Sequence, residues 1–182
     1  AVVTKPFLFE REQKMIQAEK GIAELRKYVD SLIVIPNEKL LVGLDKPLTM
    51  LQSFALSDDI LKTGVKSISD LIVEEGYINL DFADVRTVMK NRGLAHMGIG
   101  EGKGEKRNEI AVRQAIASPL LETSINGAKA VIINIKGGFD LTLEEVNDAV
   151  RHVKDVISPD ANTIFGTTID ENYNESRIVT IV

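Results

Sequence analysis

Residues 49–73, TMLQSFALSDDILKTGVKSISDLIV, carry the pattern on which the rest of the chain is organised. Thr49 followed by Gln52 forms a capping box, the pairing that satisfies free N–H groups at a helix start. From there Leu51, Phe54, Leu61, Val65, Ile68 and Leu71 recur at helical spacing over about 24 residues, which at 1.5 Å per residue is roughly 36 Å. Met50, Leu56, Ile60 and Ile72 add apolar surface elsewhere around the same helix. A helix apolar on more than one side is clamped between two bodies.

The flanking sequence supplies candidates for both bodies. Upstream, Ala1 to Val3 and Ser31 to Ile35 are short β-branched runs, and Gln13 to Tyr28 between them has apolar residues at Met15, Ile16, Ile22, Leu25 and Tyr28, a helical period. This is one αβ unit of a parallel sheet. Downstream, the pattern predicts a helix over Asp81 to Lys90, a strand over Leu94 to Ile99, and a helix over Glu105 to Ala117. A strand over Ala128 to Ile135, a helix over Thr142 to Ile157, and strands over Asn162 to Ile169 and Arg177 to Val182 follow. The result is a second α/β unit of four strands with helices on one face. Asn126-Gly127 and Gly137-Gly138 mark turns.

Composition narrows the function. The net charge is −5, and the most basic stretch, Lys103 to Arg107, is broken by Gly104 and Glu105, which argues against nucleic-acid binding. No apolar run approaches the length of a membrane span and no signal peptide is present, so no membrane insertion is expected. The absence of cysteine rules out disulfides and thiolate metal sites.

Asn79-Leu80-Asp81-Phe82-Ala83-Asp84-Val85 places two carboxylates three positions apart where a loop enters a helix. That spacing puts both on one face of the first turn, where the helix dipole favours negative charge. Taken locally, Asn79 or Asp81 caps the helix and the other acid complements the dipole. An active carboxylate pair of the glycosidase or metal type is disfavoured, because neighbours on one turn leave no substrate gap. Gly98 to Gly104 resembles a phosphate loop but fails the dinucleotide spacing at Lys103 and Glu105 and the P-loop spacing at Gly104, so it reads as a flexible strand-to-helix turn. His96, in the expected strand, and His152, on a helix, lie outside any zinc spacing, and no metal site is expected. Ser118-Pro119 reads as a helix stop.

Seven segments in order supply more: Thr4-Lys5-Pro6-Phe7, Leu32 to Asn37, Gly64 to Leu71, Asn79 to Val85, Met97 to Gly100, Ser118 to Leu121 and Ile164-Phe165-Gly166. On these the chain resembles the FtsZ family, the tubulin-like GTPases of bacterial and archaeal cell division. The resemblance implies a tubulin/FtsZ-like α/β fold. Residues 1–48 would be the remnant of a GTP-binding domain with a parallel sheet, 49–75 the central connecting helix, and 76–182 a GTPase-activating carboxy-terminal domain with a four-stranded sheet. The family's glycine-rich phosphate loop has no counterpart here, so the chain is expected to be a fragment inactive by itself.

Carried over residue by residue, the resemblance makes Asp81 and Asp84, with Asn79 beside them, the synergy loop that activates hydrolysis in a neighbouring subunit. It makes Phe54 and Asp58 the contacts to the guanine base, Asn37 a contact to the guanine nucleotide, Glu10 the acid near the ribose and Lys14 the cation near the terminal phosphates. Many family members have glycine where Arg11 stands and arginine where Lys14 stands, which implies an altered turn and a weaker phosphate contact. GTP or GDP with Mg²⁺ would be the cofactors, self-association into filaments and other division proteins the partners, and the cytoplasm at the division site the location. The rival expectation is a non-enzymatic interaction module with a ligand cleft bordered by Asp70, Leu71, Leu80 and Met97.

Overall fold

The chain opens on strand β1 (Val2–Lys5), crosses through helix α1 (Glu12–Leu25), and returns as β2 (Ser31–Pro36), parallel to β1. The structure is a computed structural model and describes every residue except Gly43, Asp45, Glu75, Glu122, Thr123, Ser124 and Asn126. The expected Asn126-Gly127 turn therefore lies in part outside the described residues. All of β2 is buried, because it is the central strand of a three-stranded parallel sheet whose third member, β3 (Gly93–Ala95), comes from far along the chain. Helix α1 stops at Leu25, earlier than its sequence period suggests, and Tyr28 beyond it is exposed instead of continuing the apolar stripe.

Helix α2 (Met50–Val73) starts at the Thr49–Gln52 capping box, as the sequence predicts. Its buried face differs from the apolar one. Leu51 and Val65 are exposed, whereas Ser53, Ser57, Gly64, Ser67 and Leu71 are buried, with half-buried Ile60 completing a spacing of four and three. Small side chains let α2 sit close to its neighbours: a Cβ on Gly64 would lie 2.7 Å from the Met97 sulfur. Leu56, Ile60 and Ile68 pack with Ile33, Ile35 and Met97 on one side, while Leu71 joins Val85, Val88 and Ile132 on the other. The expected clamping between two bodies is present.

After α3 (Phe82–Met89) and β3, the chain forms a four-stranded mixed sheet of order β4-β7-β5-β6, with β4 (Gly98–Lys103), β5 (Ala130–Gly137), β6 (Asn162–Ile169) and β7 (Ser176–Ile181). β5 and β6 are parallel, and β7 is antiparallel to both β4 and β5. Helices α4 (Arg107–Ile116) and α5 (Leu143–Lys154) cover one face, closing a core of Ala111, Val112, Ala115, Val131, Ile133, Ile135, Val146, Ala149, Val153 and Val179. The other face is covered as well: Ile132 meets α3, and Asn134 and Thr180 meet α2. Burial on both faces explains why β5 is apolar from Ala130 to Ile135 apart from Asn134.

Two local expectations are corrected. The single strand predicted over Leu94 to Ile99 is two, because His96 and Met97 carry the chain from the first sheet to the second. The glycine run is strand β4 itself as far as Lys103, and only Gly104 lies in a turn. A Cβ at Gly98, Gly100 or Gly102 would lie 2.2, 2.0 or 1.8 Å from the carbonyl oxygens of Ala115, Ala111 and Arg107, so alternate glycines let α4 rest directly on the strand backbone.

Candidate functional site

The acidic loop begins where α2 runs out. Glu74 caps α2 through its N–H to the Asp70 carbonyl, and the Leu80 N–H returns to the Leu71 carbonyl at 3.2 Å. Within the turn the Gly76 N–H donates to Asn79 Oδ1 at 2.9 Å, so the Asn79 amide shapes the loop. Asp81 is the N-cap of α3. The Asp84 N–H donates to Asp81 Oδ1 at 2.8 Å, and the Asp81 N–H reaches back to Asp84 Oδ2 at 3.4 Å. The capping reading is thus correct, and it leaves Asp81 Oδ2 and Asp84 Oδ1 without a partner among the described residues. Both acids are exposed.

The other sequence-predicted residues gather at the opposite end of α2. Asn37 follows β2, is buried, and accepts from the Ser57 hydroxyl at 2.8 Å. Phe54 is 38% exposed and stands edge-on to Phe7 and Phe9 at 5.5 and 5.8 Å between ring centroids. Asp58, one turn further along α2, is exposed. Glu10 accepts from the Phe7 N–H at 2.9 Å and from Lys14 Nζ at 3.1 Å. Burial pushes the Glu10 carboxyl up, but the Phe7 N–H and Lys14 outweigh it and hold it below its ordinary value. Arg11 has φ +82 and ψ 151, a conformation natural to glycine.

These residues do not form one site in one copy. Phe54 is the fifth residue of α2 and the acidic loop follows its last, Val73. Leu80 is bonded back at Leu71, seventeen residues along the helix from Phe54, which at 1.5 Å per residue separates the two groups by about 25 Å.

The expected cleft at Asp70, Leu71, Leu80 and Met97 is closed, because Leu71 and Met97 are fully buried against Gly166 and Gly64. Burial pushes the Asp70 carboxyl up, only partly offset by Lys66 and Lys136. A cavity of about 630 Å³ lies instead between the two sheets, lined by Met89, Arg92, Leu94, His96, Lys129 and Val182 among others. Among the described residues no three His, Asp or Glu side chains converge as a metal site would require, and no helix is long and apolar enough to cross a membrane.

Sequence reasoning missed Thr167, which holds the acidic loop from 89 positions away. It also missed Glu38, whose carboxylate receives the Leu8 N–H at 3.0 Å. Neither has a local signal, since both act through long-range pairing.

Residues 93–182 match the FtsZ family, C-terminal domain. Over all 182 residues the chain is 50% identical to the cell division protein FtsZ of Caulobacter vibrioides and 49% identical to that of Magnetospirillum gryphiswaldense. It spans 36% and 32% of their lengths. An empty FtsZ dimer structure from M. jannaschii superposes with TM-score 0.94 at 43% identity, covering 100% of this chain and 52% of that one. The GDP-bound CetZ1 monomer of Haloferax volcanii superposes with TM-score 0.74 at 15% identity, over 99% of this chain and 53% of that one, a likeness of fold alone. The three-stranded parallel sheet, the long central helix and the four-stranded mixed sheet are the tubulin/FtsZ-like fold. Within that class, identity along its whole length assigns the chain to the FtsZ family.

Proposed function

We propose that this chain supplies the activating half of a GTP-hydrolysing site completed between two copies during cell division. The observation that carries this reading is the separation just described: the candidate guanine contacts and the acidic loop occupy opposite ends of one rigid helix. Neither group can serve the other within one copy, whereas head-to-tail association brings the loop of one onto the nucleotide of the next. Filament formation follows from repeating that contact.

At such a junction Asp81 and Asp84 offer carboxylate oxygens that orient the attacking water toward the γ-phosphate, with Asn79 holding the turn. At the other end Phe54 has an exposed ring for the guanine base, and Asp58 accepts from its N1–H and N2 amino groups. Asn37 borders the base, Glu10 lies toward the ribose, and Lys14 toward the phosphates. GTP or GDP fits this set. Mg²⁺ would take most of its ligands from the phosphates themselves. The proposed division is a nucleotide side over 1–48, a connecting helix over 49–75 and an activating domain over 76–182, with β3 the exception because it pairs with β2. The proposed location is cytoplasmic, at the division site, where other division proteins are further partners.

The test mixes the purified chain with a separately purified nucleotide-binding half of the Caulobacter protein and follows GTP turnover. We expect turnover only in the mixture, and its loss with Asp81→Ala. Turnover by the chain alone, or a mixture indifferent to Asp81→Ala, refutes the reading.

A further inference from the structure

We propose that Thr167 is a positioning residue for the acidic loop, clamping it to the free edge of the second sheet; this rests on the reading of Asp81 and Asp84 given above. β6 is an edge strand, and such an edge presents unpaired N–H and C=O groups. At Thr167 the loop takes up the N–H. The Thr167 N–H donates to the Ile78 carbonyl at 2.9 Å, and the Ile78 N–H donates to Thr167 Oγ1, also at 2.9 Å. Thr167 is 1% exposed, so its hydroxyl has no competing water.

Two glycines make the approach possible. A Cβ on Gly76 would lie 1.8 Å from the Thr167 carbonyl oxygen, and one on Gly166 would lie 2.7 Å from Leu71 Cδ2 and 3.0 Å from the Ile78 carbonyl oxygen. Backbone therefore meets backbone with no side chain between, which is the role glycine plays where two chains close on each other. The Leu80 N–H to Leu71 bond adds a second anchor. With Ile78 and Leu80 both pinned, Asp81 follows directly as the α3 N-cap, and the direction of both free carboxylate oxygens is set by the clamp. Neighbouring Thr168 does something else. Its hydroxyl donates to Asn134 Oδ1 at 3.2 Å, within the seam against α2.

That contrast provides the control. Thr167→Val keeps the side-chain shape but removes the acceptor, and leaves the Ile78 N–H unpaired; a net hydrogen bond corresponds to roughly tenfold in a local opening equilibrium. In the isolated chain, amide hydrogen exchange at Ile78 and Leu80 should quicken about tenfold in Thr167→Val, return to the parent rate in Thr167→Ser, and stay at the parent rate in Thr168→Val. In the mixture with the nucleotide-binding half, Thr167→Val should lower kcat several-fold with KM for GTP unchanged, and Thr167→Ser should restore it. Thr168→Val should lower the melting temperature and leave kcat in place. Parental exchange in Thr167→Val, a parental kcat, a KM change in place of a kcat change, or no rescue by serine each overturns the proposal. A mixture without turnover, or one that Asp81→Ala leaves unchanged, removes Thr167 from catalysis along with the acids, while the exchange rates still decide whether the clamp exists.

Discussion

Replacing Gly100 by alanine would put a methyl carbon 2.0 Å from the Ala111 carbonyl oxygen, 2.5 Å from the Ala115 nitrogen and 2.9 Å from Gln114 Cβ. Ordinary contact begins near 3.4 Å. Two of the three atoms are helix backbone and cannot turn aside, so α4 must withdraw by about 1.4 Å, the shortfall at Ala111. A gap of half to one ångström already forfeits a quarter to a half of a dispersion contact, and Ala111, Val112 and Ala115, fully buried on the inner face of α4, would all lose contacts. Overpacking typically costs about 1–3 kcal/mol, and rigid backbone on both sides places Gly100→Ala at the upper end, about 3 kcal/mol. Gly21→Ala is the same chemical change in α1, with nothing within 4 Å of the new methyl. It should stabilise by about 0.5–1 kcal/mol, the helix-interior difference between the two residues. Urea unfolding of the parent and both variants, at equal slope, measures the contrast. A Gly100→Ala loss under about 1 kcal/mol, or the same sign for both substitutions, would refute direct backbone contact between α4 and β4.

Arg11→Gly should raise stability. A non-glycine residue at φ +82, ψ 151 costs about 1–3 kcal/mol, and glycine's extra freedom in the unfolded chain gives back up to about 1; an unchanged melting temperature would contradict this. Arg177, 0% exposed, binds Asp140 Oδ1 at 3.1 Å and Glu145 Oε2 at 2.8 Å, so Arg177→Met should cost about 3 kcal/mol at neutral pH by equilibrium unfolding. For both carboxyls burial works upward, but the Glu175 N–H with Arg177 and Arg107 outweighs it at Asp140, and Arg107, Arg177 and the Thr142 N–H outweigh it at Glu145, so each lies below its ordinary value. Depressed carboxylates contribute stability that is full above their unfolded values, near 4, and lost as pH falls through the folded ones. Parent stability should therefore drop on acidification below about 4, and the drop should be shallower in Arg177→Met; parallel acid limbs would contradict it.

The elements whose ends carry chemical punctuation were legible in the sequence. The Thr49–Gln52 box and the Asp81 cap mark true helix starts, α5 begins at its expected Thr142, and β6 has its expected bounds because β-branched residues fill it between Ala161 and Asp170. What failed depended on partners distant in sequence. The apolar period of α2 selected Leu51 and Val65, yet the buried seam is made of Ser53, Ser57, Gly64 and Ser67, since close approach and hydrogen bonds to Asn37, Asn134 and Thr180 replace greasy burial there. The glycines of β4 looked like a turn because their neighbour, α4, enters only in three dimensions. In the candidate site, the acids, the ring of Phe54 and Asn37 were found by resemblance, and the spacing of Asp81 and Asp84 by itself supported no more than a cap. The clamp at Thr167 had no local signature at all.

In the proposed function the acidic loop and the guanine contacts act between copies and never within one. The direct measurement is GTP turnover per nucleotide-binding half, with the chain and that half held at equal ratio and diluted together. A site completed between molecules predicts that turnover per half falls with dilution and is restored by raising the chain alone. Turnover per half that stays constant across dilution would contradict it.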